Sequence, residues 1–263
     1  MSGSALLRTI VASQLWVGLG AGAQVLGVSA AFGQPGSKDL DCWYAAALAA
    51  AVASYYAWYR GAAPYSNAGY TLLWICTAVL AALSLRGQTL LYCVLGAVLP
   101  LAYGLLGKRY RSSWAFGYCK TLLLAVAWTY YTAYVPSSTA ASVEAPLIAS
   151  RFAFFLSLAL AFDYRDVEVD KRAGVRTLAA YSRKPLLVAS VVLMLASVAL
   201  QLLGGSQDNL LAQYALVFSS GIALPLLPWA FRQNRPAVLA YELLLDGLLI
   251  LPLPIYLTLV AFS

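Results

Sequence analysis

The chain has 263 residues, 62% of them hydrophobic and 10% charged, with a formal net charge of +7. Soluble domains run at about 45–50% apolar and about 25% charged, so a soluble globule is excluded. The absence of His excludes imidazole bases and His-ligated metals, and the scatter of basic residues over short loops, with no stripe, is explained better by membrane topology than by a nucleic-acid partner, so none is expected.

In chain order, apolar runs long enough to cross roughly 30 Å of hydrocarbon fall at 9–32, 42–59, 67–85, 89–107, 115–135, 145–162, 185–204, 210–231 and 237–262. They predict an all-α fold: a polytopic membrane helical bundle of about nine transmembrane helices, in a single domain covering 1–263. The first run ends in Val28-Ser29-Ala30, which resembles a signal cleavage site, but its length predicts a retained helix. The breaks carry turn chemistry, as in Gly33-Gln34-Pro35-Gly36, Arg86-Gly87 and Asn234-Arg235-Pro236, and mark hairpin loops rather than domain linkers. Cys42, Cys76, Cys93 and Cys119 have no C-x-x-C spacing and are expected as small buried hydrophobes, not as a disulfide or metal site.

With the N-terminus inside, Arg8, Arg60, Lys108, Arg109, Arg111, Arg165, Lys171, Arg172, Arg176, Arg183, Lys184, Arg232 and Arg235 fall on the inner side of the membrane. Only Lys38 and Arg86 fall outside. The positive-inside bias therefore predicts a cytoplasmic N-terminus and an external C-terminus.

Asp163-Tyr164-Arg165-Asp166-Val167-Glu168-Val169-Asp170-Lys171-Arg172-Ala173-Gly174-Val175-Arg176-Thr177-Leu178 joins the sixth run to the seventh. If the sixth helix continues through it, Asp163, Asp166 and Asp170 stand at i, i+3 and i+7 and stack on one face. Like charges so placed call for something positive: Arg165, Lys171, Arg172 and Arg176, or a divalent metal. Magnesium takes one or two carboxylates together with substrate phosphates. The plainer alternative is a solvated, self-neutralised loop.

This stretch resembles the second aspartate-rich motif of the UbiA-type intramembrane prenyltransferases, which often reads D-x-R-D-x-E-x-D-x-x-x-G-x-x-T-L. The resemblance implies a helical bundle whose cavity opens to the membrane, with Mg2+ holding the diphosphate of a polyprenyl donor until an acceptor captures its allylic cation. It implies Asp166 and Asp170 as the metal-binding and catalytic pair, with Asp163 flanking them in the metal site. Lys108 and Arg109 are similar to the family's basic diphosphate-binding loop, which Lys171, Arg172 and Arg176 would extend. The chain departs from the family at its first motif, N-D-x-x-D-x-x-x-D, which should fall near Ser54-Tyr55-Tyr56-Ala57-Trp58-Tyr59-Arg60. No carboxylate is there, and Arg60 is the one residue placed to supply a fixed charge instead. Tyr55, Tyr56, Trp58 and Tyr59 also suit an interfacial aromatic belt.

Lys120, Arg151, Glu242 and Asp246 lie inside apolar runs, where a lone charge costs about 2.5–3.5 kcal/mol at the bilayer centre. Similar depths predict contacts of Lys120 with Glu242 and of Arg151 with Asp246, the alternative being separate water-lined sites. Lys120 on a cavity wall would also meet a phosphate oxygen. Pro225, Pro228, Pro252 and Pro254 predict kinks in the last two helices.

The expectation is thus a UbiA-like membrane prenyltransferase that takes polyprenyl diphosphate and membrane lipids as partners and moves the chain to a small acceptor. It would lie in a plasma membrane, the inner membrane of a bacterium, with its site facing the cytoplasm. Because the first motif is missing, a non-catalytic or remodelled homologue, serving as a lipid-binding or partner protein, and a UbiA-type terpene cyclase stand as alternatives. A transporter ranks last, because no matched pair of interrupted segments is found.

Overall fold

A computed structural model describes residues 15–31, 38–60, 76, 79, 88–110, 113–137, 145–172, 174, 175, 177, 179, 182–204, 210–232 and 241–262. Nearly all of them are helical, with no strand among the described residues. In chain order these are α1 (Leu15–Ala31), α2 (Lys38–Arg60), α3 (Gln88–Gly96), α4 (Val98–Arg109) and α5 (Trp114–Thr129). A π-helical segment, Tyr130–Tyr134, leads from α5 into the single turn α6 (Val135–Ser137). Then come α7 (Ala145–Arg172), α8 (Arg183–Leu203), α9 (Leu210–Ala230), a second π-helical segment at Glu242–Asp246, α10 (Gly247–Ile250) and α11 (Pro252–Ala261). Each apolar run of the sequence carries helix except 67–85, which lies outside the described residues apart from helical Cys76 and Val79.

Three helical stretches, Ala145–Glu168, Arg183–Leu203 and Leu210–Ala230, are long and apolar enough to cross a membrane. Leu243–Ile250 and Pro252–Ala261 make a fourth if their 47° bend is taken within one span. Shorter apolar helices cover Val17–Ala30 and Thr89–Leu105. In hydrocarbon the helix is the one open-ended arrangement that satisfies every backbone N–H and C=O internally.

The side-chain pattern is that of lipid-facing helices. On α8 the buried residues are Leu186, Ser190, Met194, Ser197 and Gln201, while Val188, Val192, Leu195 and Leu202 face outward. On α9, Tyr214, Phe218 and Ile222 face outward, whereas Gln213, Ser219 and Ser220 are buried. The outward faces are apolar and the buried faces mix polar with apolar residues, so the helices are joined by hydrogen bonds as well as by packing. The Ser157 hydroxyl of α7 donates to the Ser190 carbonyl of α8 at 2.8 Å, and Gln201 Nε2 of α8 donates to Ser220 Oγ of α9 at 3.2 Å.

Helix α7 packs on α8, α5 and α9. Its Phe154, Phe155, Leu158 and Ala161 are buried with Met194 of α8, Leu227 of α9, and Leu245 and Leu248 of the last helices. Helix α1 packs closely on α2 through glycine: a Cβ on Gly22 would stand 3.0 Å from the Ala45 carbonyl oxygen, and one on Gly18 would strike the Ala49 carbonyl oxygen.

One expectation needs correction and one is met in part. The cysteines are all free, but Cys42, Cys76 and Cys119 are exposed and Cys93 is half-buried, because the surface of this chain is itself apolar. The kink expected at Pro252 is present as a 47° bend between Leu243–Ile250 and Pro252–Ala261, while Pro225 and Pro228 lie inside helix α9. The missing proline N–H in α9 leaves carbonyls that neighbours in a bundle can satisfy.

Candidate functional site

With 28 residues, α7 is about 42 Å long at about 1.5 Å per residue, well beyond roughly 30 Å of hydrocarbon. Its apolar part ends at Phe162 and its charged part, Asp163 to Arg172, continues as helix. The conditional reading of the sequence is therefore met: the acidic motif is helical as far as Arg172.

The helix then stops in a Schellman arrangement. Gly174 N–H donates to the Lys171 carbonyl at 3.1 Å and Val175 N–H to the Asp170 carbonyl at 2.8 Å. That stop needs a left-handed residue, and Gly174 has φ +74°. Val175 and Thr177 follow as buried residues, so the glycine and threonine of the motif turn the chain back onto the bundle.

The three aspartates part company. Asp163 and Asp170, two turns apart, are both buried and converge on one cation from α5. Lys120 Nζ lies 2.7 Å from Asp170 Oδ2 and 3.3 Å from Asp163 Oδ1, and the Thr121 hydroxyl donates to Asp163 Oδ2. Asp166 is held by its neighbour instead, in a fork from Arg165 Nε at 2.6 Å and Nη2 at 2.8 Å. The Arg165 guanidinium also lies 5.0 Å from the Phe162 ring centroid and 5.9 Å from that of Tyr241. Spacing alone could not separate the aspartates, because which of them a neighbouring helix neutralises depends on where α5 crosses.

The same contact locates the other basic residues. It brings the N-terminal part of α5 against the C-terminal part of α7, so the α4–α5 and α7–α8 connections share one end of the bundle. Arg109, Lys171 and Arg172 are exposed at that end, with Arg109 5.7 Å from the Tyr110 ring centroid. The side chains of Arg60 and Lys108, and Arg176 as a whole, lie outside the described residues.

Among the described residues the intramembrane cations meet partners other than those expected. The carboxylates that Lys120 meets are Asp163 and Asp170; the side chain of Glu242 lies outside the described residues. Arg151 is fully buried and pairs with no acid among the described residues: its Nη2 donates to Gln24 Oε1 of α1. Its guanidinium sits 4.2 Å and 5.2 Å from the ring centroids of Phe154 and Phe155. Gln24 in turn donates from Nε2 to the Leu249 carbonyl at 2.8 Å, so the amide takes the place that depth had assigned to Asp246. Gln24 and Thr121 are the polar partners that the sequence reading missed. A lone Gln within the apolar first run was the available signal for one; Thr121, adjacent to Lys120, was the signal for the other.

Magnesium requires near-octahedral oxygen ligands at about 2.0–2.1 Å. Here the oxygens of Asp163 and Asp170 are turned to the Lys120 ammonium and those of Asp166 to the Arg165 guanidinium. Among the described residues no group of three or more Cys, Asp or Glu side chains is gathered to hold a metal. As arranged, the residues present do not fit the ion that the motif implies.

Neither a protein-family model nor a curated protein matches the chain.

Proposed function

We propose that this chain is a UbiA-type membrane protein that receives a polyprenyl diphosphate at the end of the bundle where α5 meets α7, and passes the prenyl chain to a small acceptor. The observation that supports this most is the acidic motif itself. It occupies the overhanging end of α7, its glycine makes the reversal, and exposed Arg109, Lys171 and Arg172 surround it. Fixed cations at that end offer an anionic headgroup charge-assisted hydrogen bonds, and positioned charge is what a departing diphosphate needs. The lipid-facing apolar helices suit a long prenyl tail. In this reading the chain crosses the plasma membrane of a bacterium about nine times, with its N-terminus and the site on the cytoplasmic side.

A second reading is favoured by the ion pairs. Lys120 with Asp163 and Asp170, and Arg165 with Asp166, leave the motif largely self-neutralised, and the segment 54–60 supplies no second acidic cluster. A remodelled homologue that binds a prenyl lipid without ionising it would look like this.

One assay separates the two. Purified protein in nanodiscs is titrated with geranylgeranyl or farnesyl diphosphate, following both lipid binding and diphosphate release. Binding with release supports transfer; binding without release supports the remodelled homologue; no binding by the wild type ends both. Lys171→Ala and Arg172→Ala are each expected to weaken binding by on the order of tenfold, about one lost charge-assisted contact.

A further inference from the structure

We infer that Lys120 is a built-in substitute for a divalent cation: its ammonium holds the Asp163–Asp170 carboxylate pair closed to metal, and removing it opens a site for an oxygen-preferring divalent ion. The argument is one of charge and place. Both carboxylates are buried, and Lys120 itself is only 13% exposed, so the three form a desolvated cluster rather than a surface pair. Lys120 Nζ is within 3.3 Å of an oxygen from each acid, the position between two carboxylates that a bridging cation would take. With Lys120 the cluster carries one net negative charge. Without it, two negative charges face each other in a poorly solvated place, which is sustained only by recruiting a proton or a cation.

The remaining donors suit a hard ion. The Thr121 hydroxyl already touches Asp163, so two carboxylates and a hydroxyl converge, and magnesium or manganese commonly completes such a set with water. Arg165 does not compete for this position, because its fork is spent on Asp166. The wild-type protein is accordingly indifferent to Mg2+, whatever lipid it binds. Metal uptake and lipid binding are separate observations, so the failure of one is distinguishable from the failure of the other.

The experiment is a Mn2+ titration of the full chain in nanodiscs, read by loss of the free-ion electron paramagnetic resonance signal, on wild type, Lys120→Met, Lys120→Arg and Lys120→Met/Asp170→Asn. Lys120→Met is expected to bind one Mn2+ at least about tenfold more tightly than wild type, since the exposed penalty of a broken buried pair exceeds that factor. Lys120→Arg, which keeps the positive charge, and the double variant are expected to show no such gain. Wild-type binding equal to that of Lys120→Met, or no gain in Lys120→Met, overturns the inference. Should Lys120→Met fail to fold in metal-free buffer, millimolar Mn2+ or Mg2+ present from extraction onward is expected to recover it, and failure to do so overturns the inference equally.

Discussion

A single backbone angle does much to define the acidic motif. Gly174 lies at φ +74°, where an L side chain costs about 1–2 kcal/mol. A Cβ there would meet nothing within 4 Å, so the penalty of Gly174→Ala is conformational and not steric. We expect Gly174→Ala to lower stability by about 1 kcal/mol in detergent-solubilised thermal unfolding, and Gly174→Asn to recover part of the loss because Asn tolerates the left-handed region. An unchanged midpoint for the alanine variant would show that the turn is not held as described. The glycine of the motif thus has a sufficient folding reason. The aspartates do not share it: their burial beside a lysine from another helix is a long-range arrangement that local propensity does not demand. Arg151 illustrates the limit at this scale. Its depth was legible from its place in an apolar run, but its partner was a neutral amide, and a search for opposite charges cannot find one.

Among the elements, α1 and α2 show why the helix list was readable while the packing was not. Apolar length fixes where a helix must be, since no other backbone arrangement survives in lipid, and eight of the nine runs accordingly carry helix in the described residues. Length does not say which faces meet. The signal for α1 against α2 was present in Gly18-Leu19-Gly20-Ala21-Gly22, small residues four apart that let two backbones approach. Gly18→Leu is expected to force the pair apart and cost at least about 1–3 kcal/mol, the usual range for overpacking, because the new side chain would meet the Ala49 carbonyl and Ala53. Leu19→Ala, at an exposed position on the same helix, serves as the control and should stay within about 0.5 kcal/mol. Equal effects from the two substitutions would contradict the close approach. The extension of α7 to Arg172 was missed by hydropathy for a related reason: charged residues end an apolar run, yet a helix that leaves the hydrocarbon has no cause to stop there.

At the scale of the whole molecule, charge bias and hydropathy led to a membrane bundle, and the described helices carry the outward apolar side chains that such a bundle requires. The acidic stretch after the sixth run was legible as a charged helical extension; its internal wiring was not, because pairing between α5 and α7 depends on a crossing that no single segment encodes. Helix α7 also overhangs. At about 1.5 Å per residue its 28 residues reach about 42 Å, so its charged last turns, with exposed Lys171 and Arg172, stand beyond roughly 30 Å of hydrocarbon. Reconstitution in phosphatidylcholines of graded acyl length is expected to give lower stability as lengthening chains draw that charged end toward hydrocarbon, at a fraction of a kcal/mol per Å. The end of α7 would then act as a depth gauge, fixing how far the bundle can sink into the membrane it occupies.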